Sequence, residues 1–179
     1  MTLTEYFHSV IPNPCILRPF VCDGRPEFCD VIVIGENPAT EMNTDWWSFW
    51  NDDTGFDLHK FECTYEATRL ARGKRGVSNT RLRLNRLRSK GLQCLETNAS
   101  LKERMNGHDV DSSIQGLLPE LIANLPRLKA VVAHGQVADK ALNSLRIPAS
   151  VSQYHLRHFR SESYQRIDEV ADQIIHRLP

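Results

Sequence analysis

The apolar residues of the chain gather first into two short, continuous runs rich in β-branched side chains. These are Asp30-Val31-Ile32-Val33-Ile34-Gly35 and Leu128-Lys129-Ala130-Val131-Val132-Ala133-His134-Gly135, and each closes on glycine. A run without polar alternation has both faces covered, so each predicts a buried strand feeding a loop. Shorter runs over Leu92–Asn98 and Ser150–His155 predict two further strands, each closing on a polar residue. Between the runs the apolar spacing changes to that of a helix. Leu58, Phe61 and Tyr65 share a face behind a candidate cap at Asp57, and Leu84 and Leu87, joined by Leu82, follow a start at Asn79. Leu117, Leu118, Leu121, Ile122 and Leu125 precede Pro126, and Val137, Ala138, Ala141, Leu142 and Leu145 come next. Ile167, Val170, Ala171, Ile174 and Leu178 mark the last helix. Strands alternating with helices predict an α/β fold of three layers, with a central four-stranded, mainly parallel sheet flanked by helices. Pro12, Pro14, Pro19 and Pro26 make residues 1–29 an irregular wrap around a single domain spanning 1–179.

At 179 residues and 41% hydrophobic, the chain is long enough for one core without disulfide staples. No run approaches the ~20 apolar residues of a membrane helix, and Glu5 stands where a secretory signal is positively charged. These features predict a cytoplasmic protein without a membrane partner. The five cysteines, Cys15, Cys22, Cys29, Cys63 and Cys94, form no Cys-x-x-Cys pair and suit reduced thiols. The even spacing of Cys15, Cys22 and Cys29 fits either a metal or three small buried side chains, and the latter is the expectation, with neither metal nor cluster.

Lys+Arg and Asp+Glu balance at 22 each, but unevenly along the chain. Met1 to Glu66 holds 12 acids against Arg18, Arg25 and Lys60, whereas Arg69 to Lys90 holds nine bases and no acid. Such a block meets a phosphate backbone, because Lys/Arg contacts release condensed counterions. Arg81, Arg83 and Arg86 are its candidate contacts. The competing reading is a solvated helical face paired with the acidic third.

In parallel α/β sheets, sites gather beyond the carboxyl ends of the strands. Those ends carry Gly35-Glu36-Asn37, Thr97-Asn98, His134-Gly135 and His155. Gly35 permits a sharp turn and Pro38 stiffens the loop that presents Glu36 and Asn37. Either residue can hold a water for attack, while a turn-capping role for Asn37 is the plain alternative. His155 can stabilise a developing anion or be an ordinary surface residue. Neither the phosphate-loop pattern nor the Gly-x-Gly-x-x-Gly fingerprint occurs, which argues against a nucleotide cofactor.

The order of these pieces resembles the uracil-DNA glycosylase superfamily, from about Arg18 to the last helix. Gly35-Glu36-Asn37-Pro38-Ala39 looks like the water-activating loop of that superfamily. Its mismatch-specific and single-strand-selective branches carry Asn where Asn37 stands, and its thermophile branch carries an acid where Glu36 stands. Asn98 matches the Asn used against the pyrimidine edge, with backbone capping as the alternative. His155 matches the start of the second motif, usually His-Pro-Ser, although Leu156-Arg157 replaces Pro-Ser and His158 is a possible substitute. Family members stack the extruded base on an aromatic ring soon after the first motif, where Trp46-Trp47-Ser48-Phe49-Trp50 lies. Phe49 and Trp50, with Gly35 and Pro38, are therefore expected at the base.

The resemblance implies base excision repair of DNA damage. A deaminated base such as uracil is flipped out, and its N-glycosidic bond is hydrolysed without metal or nucleotide. Asn37 or Glu36 positions the water, His155 stabilises the departing base, and Arg157, Arg160 and His158 grip the backbone of a single- or double-stranded substrate. The protein is expected to act as a monomer. Two other classes stay open. One is a DNA- or RNA-binding module that keeps the fold without catalysis, and the other is a small-molecule hydrolase using Glu36 and His155.

Overall fold

The structure is a computed structural model that describes residues 1–38, 40–100 and 116–177. Of the sequence expectations, Ala39 of the first motif and Leu178 of the last helix lie outside the described residues.

The four predicted strands form: β1 (Val31–Gly35), β4 (Cys94–Asn98), β5 (Ala130–His134) and β6 (Ser152–Leu156). They pair in the order β4-β1-β5-β6 with every pair parallel. Among the described residues six α-helices flank them: α1 (Leu3–Val10), α2 (Leu58–Ala71), α3 (Asn79–Ser89), α4 (Leu117–Asn124), α5 (Gln136–Ser144) and α6 (Tyr164–Ile175). The fold is therefore a three-layer α/β sandwich around a parallel sheet.

The period of two within each strand divides the core. Val31, Val33, Cys94, Ala130, Val132 and Leu156 face α3 and α6, where Leu84, Leu87, Ile167, Val170 and Ile174 pack. Ile32, Ile34, Leu95, Val131 and Ala133 face the opposite layer with Leu121, Ile122, Ala138 and Leu142. The helix starts have side-chain caps: Asp57 accepts from the Lys60 N–H at 2.8 Å, and Ser78, one residue before the expected start, accepts from the Arg81 N–H at 3.1 Å.

Two features depart from the pattern. The stretch expected to be irregular opens with α1, because Thr2 and Glu5 close a capping box and Phe7 plugs into the core. A small hairpin, β2 (Trp50–Asn51) with β3 (Gly55–Phe56), also forms after the aromatic run. Gly55 sits at φ +87°, and a Cβ there would stand 2.4 Å from the Gly24 backbone, so the close approach of the two segments requires glycine. Among the described residues no helix is long and apolar enough to cross a membrane.

From β1 the chain goes to β4 on one side, and from β5 it goes to β6 on the other. The connections leaving the neighbouring ends of β1 and β5 thus diverge, which opens a crevice beyond Gly35 and His134.

Candidate functional site

A cleft of about 640 Å³, part of it open to solvent, occupies this crevice. The carboxyl ends of β1, β4 and β5 supply Gly35, Glu36, Asn37, Pro38, Asn98 and His134, and the 157–163 segment supplies His158. Tyr65 of α2 and Ser78, Thr80 and Arg81 at the start of α3 form the facing wall. Strand register explains the convergence. Gly35 pairs with Asn98, and His134 follows the Ile34–Ala133 pair, so the three residues share one pleat face. A Cβ on Gly35 would lie 2.8 Å from Asn98 Oδ1 and 3.1 Å from His134 Nε2. Glycine is required here because two side chains occupy the place of its own.

The Glu36 carboxylate and the Asn37 amide make no side-chain hydrogen bond among the described residues, although the Glu36 carbonyl accepts from the Ser100 N–H at 3.0 Å. Both groups are half-buried at the cleft. His158 accepts the Arg160 N–H on Nδ1 at 3.1 Å, so its neutral ring carries the proton on Nε2. Burial, and then the Arg160 charge, push its pKa below the ordinary histidine value against the pull of Glu36. Glu162 holds this segment by accepting the Arg157 N–H at 2.9 Å and the Ser163 N–H at 3.0 Å.

Tyr65 donates to Ser78 Oγ at 3.0 Å and accepts from Thr40, with the Arg69 and Arg81 guanidiniums within 5.7 Å and 5.2 Å of its ring centre. Burial raises the phenol pKa, but those hydrogen bonds and cations outweigh it and leave the pKa below the ordinary value.

Compared with known proteins, the chain matches no family model and no curated sequence.

Several expected site residues lie elsewhere. His155 is level with Ala133 and so projects from the opposite pleat face, where it is exposed and lies 3.3 Å from Asp139. It lines a neighbouring open groove that meets the cleft only at Glu36 and His158. Of the two histidines in this stretch, His155 and His158, the one that lines the cleft is His158.

Phe49 and Trp50 do not line the cleft. Phe49 is buried against Phe56 and Phe61, and Trp50 stacks on Trp46 at 5.5 Å and donates to Asp52. The aromatic run is core, and the ring at the cleft is Tyr65, from the helix that follows it. His134 is placed at a strand end by the sequence but given no role there, because only register brings the last residue of its buried strand beside Gly35.

The basic block divides by direction. Arg81, 5% exposed, pairs with Glu96 of β4, and Arg88 joins the same carboxylate at 2.7 Å. Arg83 lies over Tyr164 and donates to the Glu162 carbonyl, and Arg86 grips Asp168 with two bonds of 2.7 Å. Much of the charge expected for phosphates is thus spent within the fold, against Glu96 and α6, while Arg88 and Arg72 also lie 3.9 Å and 4.0 Å from Glu62 and Glu41 of the acidic first third. Arg157 and Arg160 remain exposed beside the cleft and groove.

Proposed function

We propose that the protein is a monofunctional DNA glycosylase that hydrolyses the N-glycosidic bond of a flipped-out deaminated base such as uracil. The supporting observation is the convergence of Asn37, Asn98 and His158 on one crevice whose central residue, Gly35, has no side chain to fill it. The base enters the cleft because its glycosidic carbon is hidden in the stack, at an unstacking cost of a few kcal/mol that is lowest for mispaired or single-stranded sites. Asn37 or Glu36 positions water at the sugar carbon. As the bond breaks, negative charge grows on the base, and the His158 Nε2–H stabilises it, in the role that the resemblance gives to His155. A neutral donor suits this step because it need not lose a proton to stay aligned. The protein works as a cytoplasmic monomer on DNA.

The missing Pro-Ser turn and the outward His155 favour a second reading, a nucleic-acid-binding module without catalysis. Labelled single-stranded and mismatched oligonucleotides bearing uracil, xanthine or hypoxanthine separate the two. The glycosylase yields abasic sites from at least one of them, and a binding module retains the oligonucleotide but leaves every base in place.

The DNA-facing charge is testable separately. Changing Arg157 and Arg160 together to alanine should lower the log–log salt slope of binding by about 0.9 per lost contact on duplex, or about 0.7 on a single strand. Arg86→Ala should leave the slope unchanged, since Asp168 already occupies its guanidinium. Fluorescence anisotropy across a salt series reads both, and a slope that responds to Arg86 alone would reverse the assignment.

A further inference from the structure

The outward face of α2 carries a pair of side chains that the cleft does not use. The helix turns Phe61 into the core and Tyr65 to the cleft wall. Each residue advances about 100° around a helix, so His59, Cys63 and Leu70 share one stripe on the far side from these two. His59 and Cys63 are exposed, and Leu70, 56% exposed, extends the stripe with apolar surface. Cys63 is the exposed one of the five free cysteines, and Cys15, Cys22, Cys29 and Cys94 are buried.

His59 Nε2 lies 3.7 Å from Cys63 Sγ, and neither side chain has another hydrogen bond or an ion pair among the described residues. Zinc binds imidazole nitrogen at about 2.0–2.1 Å and thiolate sulfur at about 2.3 Å, and tetrahedral angles then set the two donor atoms about 3.6 Å apart. The four-residue spacing therefore gives the pair the bite of one zinc ion without any movement of the helix. Among the described residues no third metal-ligating side chain completes the set. Glu66, on the next turn, is directed at Gly76, where its Oε1 lies 2.7 Å from the place of a Cβ. Zinc held by protein alone takes four ligands, so the pair is half of a site.

We propose that His59 and Cys63 form a zinc half-site, and that one Zn²⁺ ion held by the pairs of two copies joins the protein into a symmetric dimer through α2. A two-fold axis through the metal brings the same pair from each side and makes a Cys₂His₂ tetrahedron, so the contact is isologous and closes on itself. Each Cys63 thiol gives its proton to solvent as its sulfur bonds the metal, the zinc gives up its waters, and no electron is transferred. Two thiolates match the two charges of the ion, so the contact gains no net charge. Tyr65 and the cleft lie on the other side of α2 and stay open in the dimer. The monomer proposed above is the zinc-free state, and the half-site stands whether or not the cleft excises a base.

The test titrates the full chain, reduced and stripped of metal, with zinc chloride. One zinc should bind for every two chains, and the mass in analytical ultracentrifugation should rise from 20.5 kDa to twice that value and fall back when EDTA is added. Cobalt(II) in place of zinc should give the sulfur-to-metal charge-transfer absorption of thiolate ligation and the intense visible bands of a tetrahedral ion. Cys63→Ser and His59→Ala should each abolish the zinc-dependent dimer and weaken zinc binding at least about tenfold, the smallest loss expected even from changes outside the ligand set. Cys63→His keeps a ligand at the same helical spacing, so it should retain the dimer and lose the sulfur band, which separates ligation from packing or folding. His8→Ala should dimerise as the wild type does, since that exposed ring pairs with Asp52. One zinc bound per chain without a change in mass, no zinc bound at stoichiometric concentrations, a dimer that survives Cys63→Ser, or a cobalt form without the sulfur band would each overturn the proposal.

Discussion

Leucine in place of Glu96 should destabilise the protein by about 3–5 kcal/mol, because it leaves the buried Arg81 guanidinium without its counter-charge and Arg88 with only the more distant Glu62, at 3.9 Å. Arg81 and Arg88 both end on Glu96 Oε1, and the side chains of Arg81 and Glu96 are only 6% and 13% exposed. Burial raises the Glu96 carboxyl pKa, yet the Arg81 and Arg88 charges outweigh that effect and hold it below the ordinary glutamate value. The group is therefore ionised in the folded protein. Removing it does not return the arginines to water, since Arg81 Nε and Arg88 Nε are already buried without hydrogen-bond partners among the described residues. Loss of the whole network should be far milder than loss of its centre. Replacing Arg81 and Arg88 by methionine together with Glu96→Leu should recover most of the stability, because desolvation of the ions disappears with their attraction. Urea unfolding of the single and triple variants measures both. A Glu96→Leu cost under about 1 kcal/mol would show that the pair is solvated and balanced at the surface.

If the protein is the glycosylase proposed above, Asn37→Ala should lower excision by ~10²-fold or more while DNA affinity stays nearly constant, since the amide would then matter mainly as the water attacks. Glu36→Gln tests the rival assignment. A carboxylate acting as base titrates, so its loss should abolish a pH dependence of the rate that an amide cannot create. His158→Ala should cost about 10²- to 10³-fold, as expected for removal of one preorganised donor at a developing anion. His155→Ala should leave the rate at its wild-type value, because register turns His155 out of the cleft. The contrast between the two histidines is the sharpest check. Single-turnover excision of a uracil-bearing oligonucleotide gives all four values. A rate that depends on His155 and not on His158 would refute the cleft assignment, and wild-type rates for Asn37→Ala, Glu36→Gln and His158→Ala together would refute the mechanism.

The basic block shows how direction was hidden in plain composition. Nine bases without an acid read as one patch, but Arg81 and Arg88 stand three before and four after Leu84, on the stripe that faces the sheet. Helical spacing therefore carried the signal that these two turn inward. That they meet Glu96 was not readable, because β4 joins α3 only through the fold.

The sequence by itself determined the elements and their order. β-branched runs without polar alternation have to be buried on both faces, and helical spacing between them forces crossovers and a parallel sheet. It also placed Gly35, Glu36, Asn37 and Asn98 at strand ends, since the change from apolar to polar residues marks where a strand leaves the core. Only the tertiary structure decided which strand ends meet, and on which face. A strand's side chains alternate with period two, so a shift of one residue separates His134, in the cleft, from His155, outside it. The same holds for the aromatics: a ring's burial depends on the layer packed against it, which made Phe49 core and brought Tyr65 to the cleft. Local pattern is set by neighbours along the chain, whereas a site is set by register and packing between segments far apart in it.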